Sequence, residues 1–183
     1  MSGAGPAPAS GGVLDSLTAV ATLLAPGLPA VVAQVRQAHE DPEGYVRAYA
    51  DRLEDRGVDE PFPGLAWIAL VDALDEHRLL AEFDWKEDAE EIRHRLKRLA
   101  SAPSVDPWPL FDAGERELWT HDFLEACGRH YREVGAALVV LDIESDCYPV
   151  ACLSAGRVGE LVAFAKGTGF AVWPLGLRGP SGE

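Results

Sequence analysis

Three acidic residues at alternate positions, Asp142, Glu144 and Asp146, are the side chains of this sequence best suited to chemistry. They follow an apolar run at 136–141 and stand just before Tyr148. Carboxylates in such a pattern can bind divalent cations or act as general acids and bases. The segment therefore raises three hypotheses: a two-metal nuclease, a calcium loop and a polar turn.

Spacing argues against both metal hypotheses. A two-metal exonuclease needs further acids on later elements, but Glu160 and Glu183 carry the only side-chain carboxylates after Asp146. A calcium loop needs Gly at its sixth position and Glu at its twelfth, where this chain has Cys147 and Leu153. We expect a polar turn in which the side-chain oxygens of Ser145 and Asp146 accept backbone N–H bonds, with a weak cation site at its mouth as the alternative.

The remaining candidate ligands do not form a recognisable metal or cofactor site. His121, Cys127 and His130 fall on one predicted helix, but the sequence has no CxxC pair and no tetrahedral zinc spacing. Neither a phosphate loop, a dinucleotide fingerprint nor a nucleophile elbow occurs. The sequence predicts no cofactor and no metal.

Charge is the strongest feature of the composition. The net charge is −14, and residues 39–91 hold 17 acids against 5 Lys or Arg, whereas residues 92–100 carry +4. Such a field disfavours nucleic acid and permits fast association with a basic protein. The alternative is that the acids act only as a solubility coat. The acids predicted to form the binding surface are Asp51, Glu54, Asp55 and Glu60.

Length and cysteine content predict one intracellular domain. A chain of 183 residues suits a single core, and three cysteines without framework spacing indicate reduced thiols. The sequence has no apolar run long enough for a membrane span and no Lys or Arg before Arg36 that would form a secretory signal. We therefore expect a cytoplasmic protein.

Hydrophobic periodicity predicts an α+β fold, in which a helical N-terminal two-thirds packs on a small sheet built largely from a C-terminal β-hairpin–helix–strand unit. The helices are expected at 14–25, 29–38, 42–56, 65–79, 89–99, 115–134 and 154–166, and the strands at 81–85, 136–142, 148–153 and 170–173. The 42–56 helix should lie on the surface because its apolar face is thin. Asp84 and Glu87 have the spacing of a capping box, and Ser154 can cap the last helix.

Composition also predicts the limits of the domain. Residues 1–12 should form a disordered tail and 176–183 a flexible one, on either side of a single domain at 13–175. Within that domain, 13–58 is either part of the main core or an appendage. Trp67, Trp119 and Trp173 occur in periodic elements and are expected in the core. Trp85 and Trp108 stand beside charged or proline-rich segments, where pinning a loop is favoured over binding a partner.

Three pieces of the chain resemble a known family. They are the run from Leu65 to Leu74, the segment Phe83–Glu87, and Leu141-Asp142 followed by Ser145-Asp146 and Tyr148-Pro149. Over roughly residues 60–175 the chain is similar to a family of small bacterial proteins, a domain of unknown function. Cys147 stands where a small polar residue would be expected. The resemblance implies a mixed fold and no established activity, and it links such domains to toxin-immunity neighbourhoods by analogy.

Two functions from different classes remain open. The first is a non-enzymatic protein-binding domain of immunity or adaptor type. The second is a small hydrolase or ligand-binding enzyme that uses the carboxylates of Asp84, Asp142, Glu144 and Asp146. A cleft lined by three carboxylates would favour the enzyme, whereas a flat or convex acidic surface would favour the binder. No catalytic residue is assigned. The predicted binding residues are Asp84, Trp85, Asp142, Glu144, Asp146 and Tyr148.

Overall fold

Helices cover both faces of a four-stranded antiparallel sheet in the computed structural model, which describes residues 10–177. The helices are α1 (Ser10–Leu24), α2 (Pro29–Glu40), α3 (Pro42–Ala48), α4 (Ala50–Glu54), α5 (Leu65–Glu76), α6 (Ala89–Lys97), α7 (Thr120–Glu133) and α8 (Val158–Thr168). The strands are β1 (Leu80–Asp84), β2 (Ala136–Leu141), β3 (Cys147–Ser154) and β4 (Val172–Pro174). Single 3-10 turns occur at Trp108–Leu110, Glu115–Glu117 and Ala155–Arg157. The predicted α+β class is confirmed.

The sheet is built around the predicted hairpin. Its strand order is β1-β3-β2-β4, so β2 and β3 are the central pair. Val140 lies opposite Val150 in the hairpin and opposite Trp173 of β4. The β2–β3 pairing ends at Val140 and Val150, so it does not include Pro149, which has no N–H to donate to a ladder. The hairpin therefore opens into a loop at 142–146.

Alternation along the strands divides the core between the two faces. In β2, Val139 and Leu141 join the apolar cluster formed with α1, α2, α5 and α8, whereas Leu138 and Val140 join the cluster formed with α6 and α7. Such a strand is buried on both sides and reads as a continuous apolar run. The N-terminal helices contribute Leu17 and Val35 to the first cluster, so they pack on the sheet.

Several predicted boundaries were wrong in detail. The helix predicted at 42–56 breaks at Tyr49, whose φ of −116° and ψ of 26° are not helical, and it is not superficial because Tyr45 and Leu53 are buried. The helix predicted at 115–134 is a 3-10 turn followed by α7 from Thr120. Helix α1 already begins at Ser10 within the predicted tail. The rest of that tail, at 1–9, and residues 178–183 lie outside the described residues.

Two predicted caps were also wrong. Asp88 caps α6 by accepting the Glu91 N–H at 2.9 Å, whereas Asp84 accepts the N–H of Lys86 at 2.9 Å in the turn after β1. Ser154 makes no side-chain cap bond, because a 3-10 turn separates it from α8.

Two of the tryptophans predicted in the core lie on the surface. Trp67 is buried as expected, but Trp119 is 79 % exposed and Trp173 is 51 % exposed. Trp119 is the N-cap residue of α7 and precedes its first turn, so the buried stripe of that helix starts at Phe123. Trp173 follows buried Val172 on an edge strand and points to the opposite side of the sheet.

A buried ion network joins the N-terminal helices to the sheet. Arg56 donates to Oδ1 of Asp72 at 2.8 and 2.6 Å and to Oε2 of Glu82 at 2.8 Å. Arg52 donates to Oδ2 of Asp75 at 3.1 Å and lies 3.4 Å from Asp72. Burial acts to lower the pKa of Arg56, but hydrogen bonds and charge interactions with Glu82 and Asp72 outweigh it and raise that pKa. The guanidinium is therefore charged throughout the working pH range.

Replacing Asp72 by Asn should destabilise the fold strongly. The carboxylate is 1 % exposed, and its loss replaces the charge-assisted hydrogen bonds from Arg56 by weaker neutral ones and removes a charge partner of Arg52, at a cost of about 2 kcal/mol. Urea unfolding should show a lower midpoint with an unchanged slope. Glu76→Gln, on the exposed side of the same helix, should change stability by less than about 0.5 kcal/mol. Equal effects of the two substitutions would contradict the role given to Asp72.

A second prediction concerns acid pH and Glu115. Burial acts to raise the pKa of this carboxyl, but hydrogen bonds from His130, the Asp112 N–H and Arg129 outweigh it and lower that pKa below its ordinary value of 4.5. A depressed carboxyl pKa stabilises the fold above the unfolded-state value, and this stabilisation is lost as pH falls through the folded-state value. Glu115→Gln should therefore lower stability at pH 7 and flatten its decline below about pH 4.5. Parallel pH–stability curves for the two proteins would contradict this assignment.

Candidate functional site

An apolar groove with two carboxylates lies where the start of α5 meets the loop between β2 and β3. We call it the Trp67 groove, and its volume is about 370 Å³. That volume falls within the range of small-ligand and side-chain pockets. Its lining residues are Phe62, Pro63, Gly64, Trp67, Ile68, Asp142, Ile143, Glu144 and Phe170.

Trp67 holds the walls of the groove together. Its indole N–H donates to the carbonyl of Asp142 at 2.8 Å, across 75 residues of sequence. Its ring stacks on Phe170, with centroids 5.1 Å apart and planes 11° apart. The ring of Phe62 packs over Gly64, where a Cβ would come within 2.6 Å of Phe62 Cε2. Glycine at the N-cap of α5 therefore gives Phe62 its place at the rim.

The acidic loop is organised by its own side chains. Oδ1 of Asp142 accepts the N–H of Glu144 at 2.8 Å, and Oγ of Ser145 accepts the N–H of Cys147 at 3.2 Å. Glu144 has a φ of 56°, a left-handed conformation that costs a residue with a Cβ free energy. This is the polar turn expected from the sequence, although Asp142 rather than Asp146 makes the carboxylate contact.

The predicted binding residues divide between the two faces of the sheet. Asp142 and Glu144 line the Trp67 groove on the α5 side. Asp84 lies opposite Cys147 at the end of the β1–β3 pair. It is four residues after Leu80 in the strand, so both side chains lie on the α5 side of the sheet. Tyr148 packs on the other face, where its ring centroid is 6.0 Å from that of His121.

The other two predicted residues do not line the groove. Trp85 is 51 % exposed and carries the ammonium group of Lys86 4.3 Å from its ring centroid. Asp146 is exposed in the loop. Two carboxylates rather than three therefore share one groove, so the arrangement expected of the hydrolase does not form there.

The four acids predicted as a binding surface are all exposed on α4 and the segment after it. Glu54 lines a separate depression of about 460 Å³ together with Val46 and Asp59. Glu60 stands two residues before Phe62 of the groove. The acidic residues of this segment therefore closely precede, in the sequence, the residue at the rim of the Trp67 groove.

The electrostatics of the groove suit a cation joined to an apolar body. Neither Asp142 nor Glu144 has an ion-pair partner within residues 10–177. Carboxylates without an ion-pair partner can accept charge-assisted hydrogen bonds from an Arg or Lys side chain. The aliphatic stem of that side chain can pack against an aromatic wall. Cys147 comes directly after the acidic loop. Burial raises the pKa of its thiol, and the negative charges of Glu82 and Asp84 raise it further. The thiol is therefore a poor nucleophile at neutral pH.

No cluster of three or more His, Cys, Asp or Glu side chains within residues 10–177 has a geometry that would hold a metal ion. His121 is exposed at the start of α7 and Cys127 is buried further along it, while His130 pairs with Glu115 at 2.8 Å. No helix between residues 10 and 177 combines the length and apolarity needed to cross a bilayer.

The fold and this groove define an α+β domain with an acidic, aromatic-lined surface site. Residues 16–175 match the family described as Domain of unknown function (DUF6630), and the chain belongs to that family. The match extends the resemblance seen from residue 60 onwards across the N-terminal helices. No curated protein and no solved structure shows significant similarity to the chain.

Sequence reasoning missed Phe62 and Phe170 as parts of the site. Phe62 stands between two prolines, a context that prevents regular structure and leaves an aromatic ring exposed. That context was a usable signal. No sequence signal pointed to Phe170, because it belongs to the site only through its stacking on Trp67. That contact joins the end of α8 to the start of α5, two segments distant in sequence.

Glu144 provides a test of the loop geometry. Glu144→Asn should raise the free energy of unfolding by about 1 kcal/mol, because Asn tolerates a left-handed backbone better than Glu. Asp146→Asn removes the same charge from a neighbour that lacks positive φ and should leave stability nearly unchanged. The denaturant midpoints of the two variants make the comparison, and a loss of stability in Glu144→Asn would contradict the assigned strain.

Proposed function

We propose that this chain is a non-enzymatic protein-binding domain whose Trp67 groove receives a basic side chain of a protein partner. The observation that carries the proposal is the pairing of an aromatic-walled groove with Asp142 and Glu144, two carboxylates without an ion-pair partner among the described residues. An arginine or lysine would place its aliphatic stem against Phe170 and Phe62 and its charge between the carboxylates.

The surrounding acids support a basic partner rather than an isolated small cation. Asp51, Glu54, Asp55 and Glu60 are exposed near the segment that leads to Phe62. Charges outside a buried contact steer diffusional encounter and raise the association rate, while contacts in a desolvated pocket control dissociation. The proposal therefore assigns different kinetic roles to the acidic surface and to the groove.

The proposed setting is the cytoplasm, in an immunity or adaptor role. Cys127, Cys147 and Cys152 are unpaired thiols, and two of them are buried. Burial raises the pKa of Cys152 to about 12, so this thiol is inert at neutral pH. Unpaired thiols are typical of a reducing compartment.

Affinity capture followed by kinetics tests the proposal. The full chain should retain a basic protein from a lysate of its native host at low salt, and the purified partner should then bind the chain directly in biolayer interferometry. Asp142→Asn with Glu144→Asn should increase the dissociation rate about tenfold, since each lost charge-assisted bond weakens the bound state.

Charge reversal on the acidic surface is the matched control. Lysine at positions 51, 54, 55 and 60 should slow association with little change in dissociation, and the effect should shrink as salt rises. If the groove variant dissociates like the parent chain, the Trp67 groove is not the contact. If charge reversal leaves the association rate unchanged, the acids are a solubility coat.

A further inference from the structure

Three arginines line a cleft that the proposed protein-binding site does not use. Arg78 follows α5, whereas Arg95 and Arg98 lie on the last turn of α6 and just beyond it. The cleft has a volume of about 190 Å³, and its lining also includes Asp75 and the buried Leu80 and Leu99. It lies within a chain whose net charge is −14, so a local concentration of positive charge needs an explanation.

The basic residues of α6 are neutralised on one side only. Arg93 and Lys97 both approach Oδ2 of Asp106, at 3.7 and 3.1 Å. Arg95 instead donates to the main-chain carbonyl of Glu82 at 2.8 Å. That carbonyl carries no formal charge, and the guanidinium also lies 4.9 Å from the centroid of the Phe83 ring, so Arg95 has no carboxylate partner within residues 10–177.

The other two arginines also lack carboxylate partners within residues 10–177. Arg98 has only a long contact of 3.5 Å to the His94 ring. Arg78 is exposed, and its main-chain carbonyl accepts the Ala100 N–H at 2.7 Å. That hydrogen bond holds the segments carrying Arg78 and Arg98 beside each other, so the fold itself enforces the proximity of like charges.

A charge balance shows what the cleft would attract. The three guanidinium groups contribute +3, and the nearby C-termini of α5 and α6 contribute roughly −0.5 each. Asp75 is already paired with Arg52 at 3.1 Å. Arg52 and Arg56 together face Asp72, Asp75 and Glu82, so that network adds about −1 and the local charge is about +1. Repulsion from more distant acids is screened beyond about 8 Å at physiological ionic strength.

We propose that this cleft binds the phosphoryl dianion of a small ligand. Guanidinium groups match the oxygens of phosphate with paired hydrogen bonds, and buried leucines beside them strengthen the local field. The cleft is smaller than the 300 Å³ or more usual for a whole cofactor, so it receives the phosphate group and leaves the remainder of the ligand outside. Arg95 is already held in place, which lowers the cost of ordering.

The competing explanation is that Arg78 and Arg98 serve only to offset the C-terminal dipoles of the two helices. That role accounts for single cations near each helix end, but not for Arg95, whose guanidinium is directed to the Glu82 carbonyl. The two explanations differ in one measurable respect. Phosphate also stabilises folded proteins in general by exclusion from their surface, so only the phosphate site predicts a heat of binding and a stabilisation that Arg78→Gln and Arg98→Gln reduce.

Titration calorimetry and thermal unfolding of the full chain test the proposal with inorganic phosphate, against sodium chloride at matched ionic strength. Phosphate should bind and raise the melting temperature by several degrees more than chloride. Arg78→Gln and Arg98→Gln should each weaken phosphate binding about tenfold. Arg98→Lys, which keeps the charge but loses the paired hydrogen bonds, should fall between the parent chain and Arg98→Gln.

Arg47→Gln is the matched control, because Arg47 is exposed, lies outside the cleft and has no ion-pair partner among the described residues. It should bind phosphate like the parent chain. Titration with O-phosphoserine distinguishes the source, since tighter binding than inorganic phosphate indicates a phosphate monoester and weaker binding indicates the free anion. Equal stabilisation by phosphate and chloride, or an unchanged phosphate affinity in Arg78→Gln and Arg98→Gln, would overturn the proposal.

Discussion

The contact between Arg56 and Asp72 is the constraint on which the arrangement of the described chain depends. Helix α5 is buried from Leu65 to Leu74, and Asp72 is the charged residue within that stretch. A carboxylate at such a position must be paired, since an isolated buried charge is prohibitively costly. Only Oδ1 of Asp72 is satisfied, and Oδ2 has no donor among the described residues. Arg56 donates the shortest hydrogen bond to Oδ1, and it also reaches Glu82 of β1.

This contact joins α5 to the turn after α4 and to β1, and the two proposed sites lie at opposite ends of α5. The first turn of the helix carries Trp67 to the carbonyl of Asp142, which builds the groove. The residues just beyond its last turn carry Arg78 to the end of α6. Twelve helical residues separate the two sites, a span of about 18 Å. A basic protein segment and a phosphate group could therefore occupy the domain together.

The acidic segment 39–91 has two parts with different roles. Asp72, Asp75 and Glu82 form ion pairs with Arg52 and Arg56, so these three acids stabilise the fold. The acids of α4 and the segment after it face solvent. A count of charges along the chain cannot separate these two populations, because the arginines that neutralise the first one also belong to α4 and its C-terminal turn.

Local pattern alone determined the class of fold and most of its elements. The apolar run at 136–141, the polar loop and the apolar run beyond Pro149 specify a hairpin, because strand and turn preferences act over a few residues. The same local pattern identified Asp142 and Glu144 as candidate site residues.

Tertiary structure decided the rest. Trp119 and Phe123 are equally apolar by pattern, yet only Phe123 lies within the packed stripe. Gly128 looks like a defect in α7 until the backbone of Leu175 and Gly176 is seen to pack against it. The groove joins Trp67 to Asp142 and Phe170, and the cleft joins Arg78 to Arg98. Packing between segments distant in sequence sets such pairings, and hydrophobic periodicity within one segment cannot predict them.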